Sequence, residues 1–169
     1  MSIYALLAQS LVYPYEGLLD ELQAGAAAFP KGPGRDRLAA FLKQVGRLTL
    51  AQWEELATRT LDLDPAAAPY VGFQIWGESY QRGAFMAKLA RAEAELDIDP
   101  AGELPDHLVP VLRYLAAADQ PLPELAGHLK TALERSPGGE GAGQPVCTSI
   151  RGGAGGRKNV AIITYPLSV

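Results

Sequence analysis

The sequence predicts an all-α fold: a single-domain helical bundle followed by a flexible, glycine-rich C-terminal tail. Three observations carry this reading. Apolar side chains recur at spacings of three and four along most of the chain, as one face of an α-helix requires. Prolines and N-cap residues interrupt those stripes where helices must stop and start. After Ser136 the stripes end, and Gly138, Gly139, Gly141, Gly143, Gly152, Gly153, Gly155 and Gly156 crowd the segment. The chain divides accordingly into a helical domain over residues 1–135 and a tail over residues 136–169 with a short β-prone end.

Leu7 and Leu11, then Leu18, Leu19 and Leu22, mark two helices broken at Pro14, which cannot continue a helical ladder. Residues 30–34 read as a loop, and Leu38, Phe41, Leu42 and Val45 mark a third helix with Gly46 as its stop. Thr49 and Gln52 fit a capping box, in which two side chains satisfy the free N–H groups of a helix start. Leu50, Trp53, Leu56 and Ala57 would face inward on the next helix. Asp64-Pro65 is a second start signal, opening a short helix through Trp76 with a break at Gly77. The strongest helix spans residues 79–95, with Phe85, Leu89, Ala92 and Leu96 on one face. Pro100 and Gly102 end it. Pro105 restarts a helix to about Ala118 carrying Leu108, Val111, Leu112 and Leu115, and Leu122, Leu125, Leu129 and Leu133 mark the last one. Residues 160–165 favour β-structure, but one strand needs a partner, so three readings stay open: a disordered end, packing on the helices, or pairing with a second chain.

Bulk properties exclude several function classes. The 169 residues suffice for one domain with a core, and the net charge of -4 argues against a sequence-independent grip on nucleic acid. A single cysteine, Cys147, rules out an internal disulfide or a cysteine-based metal cluster. The only imidazoles, His107 and His128, fall on different helices. The apolar N-terminus lacks a basic leader region and a small-residue cleavage site, and no apolar run is long enough to span a bilayer. A cytoplasmic protein without direct membrane insertion is expected.

No catalytic set stands out. The glycines of residues 152–156 before Arg157 and Lys158 look superficially like a phosphate cradle, but that motif needs a strand before it and a helix after it. Cys147 sits among glycines with no histidine nearby in sequence, poor surroundings for a nucleophile. The pairs Glu54/Glu55, Glu93/Glu95 and Asp97/Asp99 read as solvated faces. The run Glu103-Leu104-Pro105-Asp106-His107-Leu108 is open to two readings. It is either a helix start, with Pro105 in the first turn and Asp106 at the positive end of the dipole, or part of a binding site.

That run resembles the central motif of the molybdoenzyme-specific chaperones: the nitrate reductase delta-subunit (NarJ-type) and TorD/DmsD-type maturation proteins. Three further stretches agree in order. Leu6-Leu7-Ala8 through Leu11-Val12-Tyr13-Pro14 resembles the family's opening helix ending in Tyr-Pro. Residues 70–76 followed by Ser79-Tyr80-Gln81-Arg82-Gly83 resemble its aromatic helix and Arg-Gly helix start. Residues 105–118 and the Pro-Leu helix after them resemble its groove helix and neighbour. The likeness covers residues 3–135. The chain departs from the pattern at Pro110, one place late, at Arg113 in place of a glutamate, and in its glycine-rich end.

The resemblance implies a TorD-like all-helical protein with no enzymatic activity and no cofactor of its own. Such proteins bind the N-terminal segment of an apo molybdoenzyme catalytic subunit, keep it competent for molybdenum-cofactor insertion, and delay docking or export. Here the client would be a nitrate-reductase-like or related dimethyl-sulfoxide-reductase-family subunit. Pro105, Asp106 and His107 would line the peptide site; Tyr70, Phe73, Trp76, Tyr80 and Tyr114 would either offer wall area or simply pack in the core. Glu103 and Asp106 would meet basic client residues, and Arg82 would either pair with an acid in the same groove or simply solvate its helix start. Two alternatives stay open: a general helical adaptor with another client, and a nucleotide-handling enzyme built on the tail. The β-prone end also leaves a homodimer by exchange between chains open.

Overall fold

The computed structural model describes residues 2–62, 68–135, 147–152 and 156–161. The helix start expected at Asp64-Pro65, and the tail over residues 136–146, 153–155 and 162–169, lie outside the described residues.

Local chemistry sets most of the helix boundaries. Helix α1 (Ile3–Ser10) opens on Ser2, whose hydroxyl accepts from the Ala5 amide at 3.2 Å. The chain turns through Pro14 into α2 (Leu18–Ala27). Helix α3 (Pro33–Val45) begins earlier than its leucine pattern suggested, because Pro33 takes the first helical position, where its missing N–H costs nothing. Helix α4 (Leu50–Ala57) opens on the predicted capping box: Thr49 Oγ1 accepts from the Gln52 amide at 3.3 Å and Gln52 Oε1 from the Thr49 amide at 2.9 Å. A π-helical turn over Thr58–Asp62 extends it.

Helix α5 (Val71–Trp76) is shorter than predicted, since Tyr70 is extended and bridges to His107. Gly77, at φ 60, ends it as expected. Ser79 caps α6 (Tyr80–Glu95). Helix α7 (Leu108–Ala117) starts three residues after Pro105, not at it; His107 is its N-cap and Pro110 falls in the first turn, where no ladder bond is lost. Helix α8 (Leu125–Arg135) completes the bundle. The described part of the tail adds an antiparallel hairpin, β1 (Cys147–Gly152) with β2 (Gly156–Ala161), in register from Cys147–Ala161 to Gly152–Gly156. The strand predicted at residues 160–165 therefore begins earlier, and its partner is in the same chain.

The core joins the apolar stripes of the eight described helices. Helix α1 packs on α7, α5 on α8, and α2 between α1 and α3. Leu6, Leu18, Leu22, Leu38, Leu89 and Leu125 are fully buried; each contributes about 1.5–3 kcal/mol of hydrophobic stabilisation. Two expected core residues lie outside it: Leu50 and Leu96 are exposed, each at the end of its helix, where the stripe overruns the packed layer. No described helix is long and apolar enough to cross a membrane.

Candidate functional site

Two segments distant in sequence lie side by side. Residues 69–71 and 106–108 exchange main-chain bonds: the Val71 amide donates to Asp106 O at 2.7 Å and the Leu108 amide to Pro69 O at 2.8 Å. A tight turn, with the His107 amide donating to Leu104 O, presents Asp106 inward. Its carboxylate is completely buried and accepts from Arg82 Nε at 2.8 Å and Nη2 at 3.3 Å. This two-pronged match of planar groups is the arrangement that makes arginine the preferred cation for buried carboxylates.

Arg82 is itself buried and has further partners. Nη1 donates to Glu78 Oε1 at 2.6 Å, one helical turn back. Its guanidinium lies 5.5 Å from the Tyr70 ring centre and 5.4 Å from that of Phe73, where the ring faces attract a cation. The Asp106 hydrogen bond, against a smaller desolvation cost, holds the guanidinium charged above its ordinary value. His107 sits edge-on to Tyr70 at 5.0 Å, and its Nδ1 accepts from the Val109 amide at 3.1 Å. In the neutral ring the proton therefore sits on Nε2.

Tyr70, Arg82, Glu103, Asp106 and His107, five of the predicted site residues, thus gather at one place. Tyr70 Oη donates to Glu103 Oε2 at 3.1 Å on the exposed side, with Pro105 half-buried in the turn between. The gathering differs from the predicted one in one respect. Asp106 and His107 were expected to line a peptide site; both are buried, and Asp106 meets a cation of its own chain. The exposed groups in contact with this cluster are Glu78 and Glu103; Tyr80, 89 % exposed, lies two positions before Arg82 on α6 and so on a different face of that helix.

Trp76 and Tyr114 stand apart from this group. Trp76 packs against Phe85 and His128, joining α5, α6 and α8. Tyr114 lies inside the bundle, where its hydroxyl accepts from the Leu122 amide at 3.1 Å and ties α7 to the connection after it. Beside the paired segments, α7 also borders a narrow, mostly apolar cleft lined by Leu7, Ser10, Leu11, Leu108, Leu112, Leu129 and Leu133. Leu108 belongs to both the cleft and the paired segments.

Three contributors escaped the sequence reading. Glu78 sits four residues before Arg82, a legible helix pair. Glu93, read as solvated, is buried, and Oε1 lacks a hydrogen-bond partner. Its spacing from Arg82, Phe85 and Leu89 places it on the inward face. Burial first, and the Asp106 charge second, push its carboxyl up to about 7. Gly72 is the third. A Cβ there would stand 2.7 Å from Asp106 Oδ2, 3.0 Å from Arg82 Cγ and 3.2 Å from Phe85 Cδ1. Gly72→Ala is therefore expected to destabilise by about 1–3 kcal/mol through overpacking. Gly127→Ala on α8, where a Cβ meets nothing within 4 Å, should gain about 0.5–1 kcal/mol of helix propensity. Urea midpoints of the two variants would settle the contrast; equal shifts would mean that the hub relaxes around the methyl group.

Among the described residues no three histidine, cysteine, aspartate or glutamate side chains converge as a metal-ligand set. The described glycines of the tail, Gly152 and Gly156, end one strand and begin another, so the helix that a phosphate cradle needs is replaced by β2. No family model, curated protein or solved structure matches the chain. Its likeness to the maturation chaperones thus rests on its sequence motifs.

Proposed function

We propose that this protein is a chaperone that binds the N-terminal segment of an apo molybdoenzyme catalytic subunit, of the nitrate reductase or dimethyl-sulfoxide-reductase kind. In this reading it holds the subunit for molybdenum-cofactor insertion before docking or export. The observation that carries it is the 2.8 Å pair between Arg82 and Asp106. Those residues belong to two of the motifs that resemble the family, 24 positions apart, and a shared site is the simplest reason for both to be present.

The roles are redistributed relative to the sequence reading. Asp106, Arg82 and His107 are positioning residues that fix the turn and the paired segments. Contact with the client falls to the exposed Glu78, Glu103 and Tyr80 and to the apolar cleft beside Leu108. Exposed carboxylates suit basic residues of a leader, and the cleft suits an apolar side chain of the same segment.

The test is co-expression with a molybdoenzyme catalytic subunit, then calorimetry with its N-terminal peptide. Binding is expected, with molybdenum content of the subunit raised by the chaperone. Glu103→Ala combined with Tyr80→Ala should weaken the peptide by about 1–3 kcal/mol, the worth of charged hydrogen bonds and an aromatic contact. Absence of both peptide binding and any change in cofactor content would overturn the reading and favour an adaptor for another client.

A further inference from the structure

The connection between α6 and α7, residues 96–107, is fastened at both ends by residues with buried carboxyls. At its start, the Glu93 main-chain carbonyl accepts from the Leu96 and Ile98 amides at 3.2 and 3.0 Å. The Glu93 side chain is 5 % exposed and its Oε1 has no hydrogen-bond partner. At its end, Asp106 is gripped by Arg82. Between them the backbone is strained: Asp97 and Ala101 have φ of 52 and 55, a left-handed conformation in which a Cβ crowds the next carbonyl.

Among the described side chains, the charges around Glu93 leave it without a cation. Helix α5 carries no ionisable side chain. Arg113, the sole charged side chain on α7, donates to Asp99 O and Oδ2 at 2.7 and 2.8 Å. Arg82 is taken by Asp106 and Glu78, and Lys88 by Glu124, just before α8. On α6 itself Arg91 and Glu95 are exposed. On α8, His128 lies against Trp76 and Phe85, and Arg135 donates to Ile75 O; Lys130 is exposed. In the connection, Asp97, Asp99 and Glu103 face solvent, and His107 caps α7. The Asp106 carboxylate is the charge that acts on Glu93, and it repels.

We propose that residues 96–107 form a proton-operated latch. With Glu93 protonated, the connection closes on α5 and α6; loss of that proton sets an unpaired charge beside Asp106 and releases it. Opening to water is the cheaper outcome because a buried, uncompensated carboxylate forfeits most of its solvation. The raised carboxyl places the change near neutral pH. Release breaks the Ile98–Glu93, Val71–Asp106 and Leu108–Pro69 main-chain bonds and parts Glu103 from Tyr70. The latch requires no particular client and so stands apart from the proposed function.

Amide hydrogen exchange on the full chain, normalised to intrinsic rates, tests this at about pH 6 and about pH 8. Protection of Val71, Ile98 and Leu108 is expected to fall at least about tenfold at the higher pH and to be nearly gone there, while Leu22 and Leu42 of α2 and α3 lose only what global stability loses and stay strongly protected. Glu93→Gln should keep the connection protected at both values. Strong protection kept by Val71, Ile98 and Leu108 at the higher pH, or the same loss in Glu93→Gln, would overturn the latch. Should that variant fail to fold, the carboxyl carbon-13 shift of Glu93 in the wild type supplies the check. A shared midpoint with the amide change supports the latch, and separate midpoints refute it.

Discussion

Asp106→Ala is expected to lower folding stability by about 3–5 kcal/mol, the cost of stripping one partner from a buried ion pair. Arg82 would keep only Glu78, whose own side chain is 79 % exposed, and would lose both bonds that orient its guanidinium. The stacking on Tyr70 and Phe73 depends on that orientation, so the loss extends beyond the pair. A domain holds about 5–15 kcal/mol in total, which makes this change about a fifth of the stability or more. Replacing both partners, as Arg82→Met with Asp106→Leu, should recover much of the loss, because two apolar groups leave no orphaned charge. Denaturation in urea with an unchanged slope would read both effects. A loss below about 1 kcal/mol for Asp106→Ala would mean that Arg82 escapes to solvent past Glu78.

The second large effect depends on pH. The Glu93 carboxyl stands at about 7 in the folded chain, raised by burial and then by Asp106, against an ordinary 4.5 when unfolded. Between those values the native state holds a proton that the unfolded chain has released, so stability falls as pH rises. The stabilisation is fully present below about 4.5 and lost by the time pH has passed about 7. The drop is on the order of 3 kcal/mol at most. The latch sets a ceiling on it: once opening the connection costs less than burying the charge, the loss stops at the opening energy. Glu93→Gln has no proton to lose. The variant should be more stable than the wild type by up to about 3 kcal/mol at about pH 8, with the difference shrinking as pH falls to about 5. Parallel stability curves for the two proteins would show that Glu93 does not titrate in this range.

Much of the helical layout was legible because it is written in local terms. The Thr49–Gln52 capping box, the break at Gly77 and the apolar stripes of α6, α7 and α8 all act within a few residues, and the structure contains each of them. Misjudged boundaries share one cause. Tyr70 and Pro105 both lie in stretches with good helix signals, yet each is extended or turned because residues 69–71 and 106–108 pair with one another. A bond between positions more than thirty residues apart outcompetes a local preference worth about 1 kcal/mol, and no periodicity reveals it.

The site shows the same division more sharply. By itself the sequence determined a helical domain, its caps, its acidic balance and the two motifs that resemble the chaperone family. Only the tertiary structure decided what those motifs do to each other. It turned Asp106 away from solvent onto Arg82, buried Tyr114, packed the half-buried Trp76 against Phe85, and left Glu78, Glu103 and Tyr80 exposed. It also buried Glu93, which a reading of neighbouring charges assigned to water. The physical reason is that caps and periodicity depend on the nearest turn of chain. The charge state of a carboxyl depends on whatever the fold brings within a few ångströms of it.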